Sequence, residues 1–270
     1  MGDVMKKTIE YIREKKLKCE LIPRTALYDF AFAQIAEEAG IEIINVGDTI
    51  AKYMLGLNNT NKVSMDLLID HAKAVRKGAP NCFVMGDMPF LSYVNKDVAI
   101  KNAARFIVEA EVDAVKVEGT MEVVPIIEYL TNAGIPVIGH TGVKLQSRQI
   151  IGSEKAVREN FLKVSKAMED AGAIAIVYTE VPLDLACENY KNLSIPIMAA
   201  GCGEYTDSPM INFYELVGLS KTRRSFAKVY GDSYNLMLNS AKSFVDDVIK
   251  RNLWGINYER KWLDNSKWIV

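Results

Sequence analysis

The chain predicts a closed (β/α)8 TIM barrel, built as a single α/β domain over all 270 residues, and three observations carry that expectation. A phrase recurs in which a periodic helix ends in a small residue and Gly or Asp, and a short branched apolar run follows at once. Those runs are continuous rather than alternating, as in parallel strands buried on both faces. Polar residues gather after nearly every run, and no G-x-G-x-x-G follows the first. That favours a barrel over a doubly wound sheet with a single switch point.

Taken in order, residues 1–17 form an N-terminal helix and Cys19–Ile22 the first strand. A helix over Tyr28–Ala39 runs through AEEAGIEIINVGD into the second strand, which ends at Asp48. Ser64 is placed to cap the helix Ser64–Lys77, and Cys82–Gly86 is the third strand. Helices over Asp97–Ala110 and Met121–Ala133 flank the fourth strand, in EAEVDAVKVEG, and TNAGIPVIGH carries the fifth to His140. Glu154–Ala171 leads through EDAGAIAIVYTE to the sixth strand, and Leu183–Lys191 leads to the seventh in NLSIPIMAAG. The last strand is expected near Ile211–Leu219. A C-terminal helix over Ser233–Arg251 then precedes a tail, residues 252–270, with Trp254, Trp262 and Trp268. That much aromatic surface asks for burial, against the barrel or in a subunit interface, and a homo-oligomer is expected.

Composition narrows the partners. With 33 basic and 34 acidic residues well mixed, the net charge of −1 gives no footprint for nucleic acid or a membrane surface. No apolar run approaches the roughly 18 residues of a membrane span. The N-terminus MGDVMKKTIEYIREKK has no apolar signal core, so a cytoplasmic protein is expected. Four cysteines without a C-x-x-C pair, and two histidines, argue against a zinc site. The thiols are expected buried and reduced.

In a barrel, chemistry sits at the carboxyl ends of the strands. Those positions are Asp48 and Thr49, Asp87, Lys116 and Glu118, His140, Thr179 and Glu180, and Gly201–Gly203. Three carboxylates brought together repel one another unless a cation joins them, and all-oxygen ligation favours Mg2+ or Mn2+. Lys116 and Glu118, two apart on one strand, face the same side, the barrel interior. A lysine there needs an acid to pair with or an anionic ligand to bind. His140 closes its strand as a candidate catalytic group; His71, within a helix, reads as structural. Gly201-Cys202-Gly203 is a weak signal for backbone amides approaching an anion.

As an ordered set, VGDT, GDMPF, KVEG and GHTG, with EDAGAIAIVYTEVP and LSIPIMAAGCG after them, resemble the ketopantoate hydroxymethyltransferase family of the phosphoenolpyruvate/pyruvate barrel superfamily. The likeness runs from about Tyr28 to Tyr230 and implies a small-molecule 2-oxo acid substrate. It implies Mg2+ held by Asp48, Asp87 and Glu118, some through water, with the 2-oxo acid chelating it. Thr49 and Lys116 would help hold the carboxylate. The implied reaction is enolate formation followed by attack on a one-carbon unit from 5,10-methylenetetrahydrofolate, as in pantothenate biosynthesis.

The same resemblance exposes departures. The family reads L-E-C-V-P at the end of the sixth strand, its Glu acting as base; this chain reads Tyr178-Thr179-Glu180-Val181-Pro182. Gapless alignment puts Thr179 in the base's place and Glu180 one residue later, where a regular strand would face the other way. A bend at the strand end would let Glu180 serve as the base. Ala51, Thr49, RQIIGSEK and Asp207-Ser208-Pro209 also replace family residues. The leading reading is a Mg2+-dependent hydroxymethyltransferase or aldol-type enzyme. Alternatives are another reaction on a 2-oxo acid derivative (C–C cleavage, decarboxylation or rearrangement) and a catalytically silent homologue.

Overall fold

A computed structural model describes residues 5–142, 155–250 and 252. Eight parallel strands close on themselves in chain order. They are β1 (Arg24–Ala26), β2 (Ile43–Val46), β3 (Phe83–Asp87), β4 (Ala114–Glu118), β5 (Val137–Gly142), β6 (Ala175–Thr179), β7 (Ile197–Ala200) and β8 (Ser208–Asn212). The expected TIM barrel is the fold. Its helices are α1 (Ile9–Leu17), α2 (Phe30–Glu38), α3 (Ile50–Tyr53), α4 (Met65–Gly78), α5 (Lys96–Glu109), α6 (Val124–Asn132), α7 (Lys155–Asp170), α8 (Leu183–Asn192), α9 (Phe213–Leu216) and α10 (Ser233–Ile249).

Local chemistry sets the helix starts. Asp29, Ser64 and Asn95 accept from the amides of Phe32, Leu67 and Val98, which supplies partners that the first turns of α2, α4 and α5 lack within the helix. Two strand positions differ from expectation. Cys19 adopts φ +54 and its amide bonds to Lys16, which ends α1. Residues 19–22 are therefore the lead-in, and pairing with β2 begins at Pro23, whose carbonyl accepts from Glu42 and Ile43. At the other end β8 starts at Ser208, before the expected Ile211. Asn212 then caps α9, so part of the expected strand is helical.

Two apolar layers result. Ile43, Phe83, Met85, Ala114, Ile138, Val177 and Met198 face inward, with Ile12 of α1 packed against them. A larger shell, including Leu68, Phe106, Ile127, Val164 and Tyr178, joins the outer strand faces to the helices. Cys82 and Cys202 are buried as expected, Cys187 is half-buried and Cys19 is exposed; all four are free thiols. Among the described residues no helix is long and apolar enough to cross a membrane. The tryptophan-rich tail lies outside the described residues.

Candidate active site

At the carboxyl ends of β3 to β6 strand alternation turns Asp87, Lys116, Glu118, His140 and Thr179 inward, and Asp48 follows two residues after the end of β2. Asp48, Asp87, Glu118, Lys116, His140 and Thr179 are all buried, none more than 6% exposed. They form two linked groups.

The first is built on Asp87. Its Oδ1 accepts from Asn45 Nδ2 at 3.1 Å, and its Oδ2 accepts from the Asp48 amide at 3.3 Å and lies 2.7 Å from the Lys116 ammonium. Gly47 permits this approach, since a Cβ there would stand 2.4 Å from Asp87 Oδ2. Thr49 extends the group, its hydroxyl 2.7 Å from the Tyr28 hydroxyl, which in turn accepts from Asn212 at 2.8 Å. Burial alone would pull the Lys116 pKa down, but Asp87, Asp48 and Glu118 outweigh it and hold the ammonium charged.

The second group is built on His140. Nδ1 lies 2.9 Å from Glu118 Oε2, and Nε2 lies 3.0 Å from Thr179 Oγ1. Burial, helped by the Lys116 charge, lowers the His140 pKa against the opposing pull of Glu118, so the imidazole is neutral near pH 7. Tyr93 fixes the strand end by donating to the Glu118 carbonyl at 2.9 Å. The other histidine, His71, bonds the Tyr28 backbone carbonyl, a structural role as expected.

The charge balance bears on a metal. Ionised, the three buried carboxylates outnumber the buried cations near them, Lys116 and Arg24, and His140 is neutral, which leaves an excess of negative charge in a dry cluster. That donor set fits a hard divalent cation such as Mg2+. In the described conformation no three acidic, imidazole or thiol side chains converge as a ready ligand set among the described residues, and Lys116 occupies one face of Asp87.

Position 179 is the inward one on β6, and it carries a threonine. Glu180 follows at φ +51, in the left-handed region that breaks strand alternation, so the strand end does bend there. Its side chain is exposed and bonds to no described residue, while its amide bonds to the Ala200 carbonyl. The structure thus groups Asp48, Thr49, Asp87, Lys116, Glu118 and His140, and leaves Glu180 at the rim. Asn45, Tyr28 and Asn212 belong to the site and were missed from sequence. The available signal was a lone asparagine at the inward position of IINV.

A closed barrel with a buried acid–lysine–histidine cluster on this face defines an enzyme of the (β/α)8 class. The family model for ketopantoate hydroxymethyltransferase matches residues 6–253, and the chain belongs to that family of one-carbon transferases of the pantothenate pathway. It is 40% identical over 253 residues to the 3-methyl-2-oxobutanoate hydroxymethyltransferase of Thermosipho melanesiensis, covering 91% of this chain and 95% of that one. It is 37% identical over 252 residues to the enzyme so named from Geobacillus kaustophilus, covering 90% of each. Similar solved folds include phosphoenolpyruvate phosphomutase from Streptomyces platensis subsp. rosaceus (TM-score 0.64, 14% identity, 91% of this chain and 88% of that one). Another is a phosphonopyruvate hydrolase in complex with oxalate and Mg++ (TM-score 0.63, 13% identity, 98% and 93%). At such identities the two structures speak for the fold alone.

Proposed function

We propose that this enzyme transfers a hydroxymethyl group to a 2-oxo acid through a Mg2+-dependent enolate, with 5,10-methylenetetrahydrofolate as the one-carbon donor. The observation that carries the reading is the buried excess of negative charge formed by Asp48, Asp87 and Glu118 beside Lys116. Asp48, Asp87 and Glu118 are the groups that would hold the cation. Bound there, the cation would supply Lewis-acid polarisation of the substrate ketone and countercharge for the enolate.

The chain's own residues do the rest. Lys116 and the Thr49 hydroxyl receive the substrate carboxylate; Tyr28 and Asn212 hold Thr49 in place. His140, neutral and tied to Thr179, closes the floor against water beneath the reacting carbon. Glu180 at the bent end of β6 takes the proton from the carbon next to the ketone. Its exposed position also favours a second reading, in which a 2-oxo acid derivative is cleaved and no proton leaves that carbon.

Free thiols throughout suit a reducing compartment, the cytosol. We also propose a homo-oligomer. α10 buries none of its residues in this chain, and Leu236, Phe244, Val245 and Ile249 are exposed along it.

The test is proton exchange. The protein with Mg2+ is incubated in D2O with 3-methyl-2-oxobutanoate, and the C3 proton signal is followed by NMR. Metal-dependent loss of that signal, abolished by Glu180→Gln, is expected. Exchange that survives Glu180→Gln moves the base elsewhere, and none in a Mg2+-binding protein favours cleavage.

A further inference from the structure

Arg24 differs from the other buried arginine, Arg76, and from the half-buried Arg224. Arg76 donates to the carbonyls of Glu111, Ala79, Pro80 and Cys82 and pairs with Asp113, while Arg224 pairs with Glu215. Arg24 is 3% exposed, yet its one hydrogen bond to a described residue is a long one, from Nη2 to the Ser208 carbonyl at 3.5 Å. Its Nε is shut from solvent, and among the described residues it has neither a hydrogen-bond partner for that atom nor an ion pair. A buried guanidinium left this way is costly, unless something else arrives to meet it.

Register fixes where it enters. Arg24 pairs with Ile43 on β2 and Met210 on β8, and Ile43 belongs to the inward cluster with Phe83 and Met85. Parallel neighbours share a face, so Arg24 enters the barrel interior. Two residues toward the mouth, Ala26 pairs with Asn45 and Asn212, both buried. Ala26 thus sets a methyl group between two amides on the mouth side of the guanidinium. That layer adjoins the catalytic cluster, since Asn45 bonds Asp87. Asp87 is near enough to act on Arg24 through space, but its oxygens already serve Lys116, Asn45 and the Asp48 amide.

We infer that the substrate is a 2-oxo acid bearing a second carboxylate, which Arg24 receives between Asn45 and Asn212; this rests on the 2-oxo acid reading above. A guanidinium fork matches a carboxylate with two parallel hydrogen bonds, and the amides supply further donors. An alkyl 2-oxo acid such as 3-methyl-2-oxobutanoate can still chelate the cation and exchange its proton, but it leaves Arg24 unpaired and binds more weakly. Arg24 and the two asparagines therefore act as specificity determinants, apart from the groups that perform the chemistry.

The experiment is calorimetric titration of the full chain with Mg2+ present. Its ligands are oxalate, 2-oxobutanedioate against 2-oxobutanoate, and 2-oxopentanedioate against 2-oxopentanoate. At least one diacid is expected to bind about tenfold or more tighter than its monoacid partner. Arg24→Met should erase that preference while leaving oxalate binding within about twofold. It should melt no lower than wild type, because it removes an unpaired buried charge. Should Arg24→Met not fold, Arg24→Lys, which keeps the charge and loses the fork, is expected to reduce the preference. Failure of oxalate to bind would overturn the 2-oxo acid reading and this inference with it. Oxalate binding with no diacid preference in wild type overturns this inference alone, as does a preference unchanged in the Arg24 variants.

Discussion

The Lys116 ammonium lies 2.7 Å from Asp87 Oδ2 at the ends of adjacent strands, with both side chains buried. In the absence of a metal it is the close cation of that carboxylate. Lys116→Met should therefore cost about 3–5 kcal/mol without metal, because a buried carboxylate loses its partner. Mg2+ should restore more stability to the variant than to wild type, since the added cation replaces the lost one. Chemical denaturation with and without Mg2+ measures both effects, and equal Mg2+ responses would contradict the account.

Gly47 is the second point of strain-free closeness. A methyl group at that position would stand 2.4 Å from Asp87 Oδ2 and 2.5 Å from Asn45 Nδ2. Gly47→Ala should keep the barrel, lose about 1–3 kcal/mol through displaced side chains, and weaken Mg2+ binding. A denaturation curve paired with metal titration reads the two separately; an unchanged metal affinity would count against Asp87 as a ligand.

A third prediction concerns pH. Burial would raise the Glu169 pKa, but Lys166, the Ser194 hydroxyl and the amides of Ser194 and Ile195 outweigh it and bring it down to about 2. A carboxylate whose folded pKa is depressed stabilises the fold above its unfolded pKa and loses that contribution as pH falls toward the folded one. Wild type should therefore lose on the order of 2 kcal/mol between about pH 4.5 and 2 through this group. Glu169→Gln should start less stable near neutrality and show a shallower acid slope in urea melts at stepped pH.

The exposed apolar face of α10 predicts association. Phe244→Glu combined with Leu236→Glu should shift the protein to a smaller species in size-exclusion chromatography with light scattering, with the barrel's near-UV dichroism retained. A wild-type monomer would rule the homo-oligomer out.

Much of this was legible in the sequence, for particular reasons. Strands such as Ile43–Val46 and Ala114–Glu118 announce themselves because buried parallel strands are short branched runs directly after a helix C-cap. Fixing where they end also places Asp48, Glu118 and His140. β1 was misplaced because CELI is as apolar as RTAL, and only the left-handed turn at Cys19 separates lead-in from strand. Arg24, Asn45 and Asn212 were passed over because a single polar residue in an apolar run carries no period. Their meaning comes from register across three strands, which a linear reading lacks. At Thr179–Glu180 the sequence leaves a bend and a lost base equally open; φ +51 at Glu180 is the bend, and the side chain stands exposed at the strand end.

The central claim is that Asp48, Asp87 and Glu118 create a divalent-cation site that presents a chelating 2-oxo acid. Electron paramagnetic resonance of Mn2+ titrated into the protein tests it most directly, because free and bound Mn2+ are counted separately. The account predicts one tight site per chain, lost in Asp87→Asn and spectrally altered when oxalate is added. Unchanged Mn2+ binding in Asp87→Asn and Asp48→Asn, or a bound spectrum indifferent to oxalate, would contradict it.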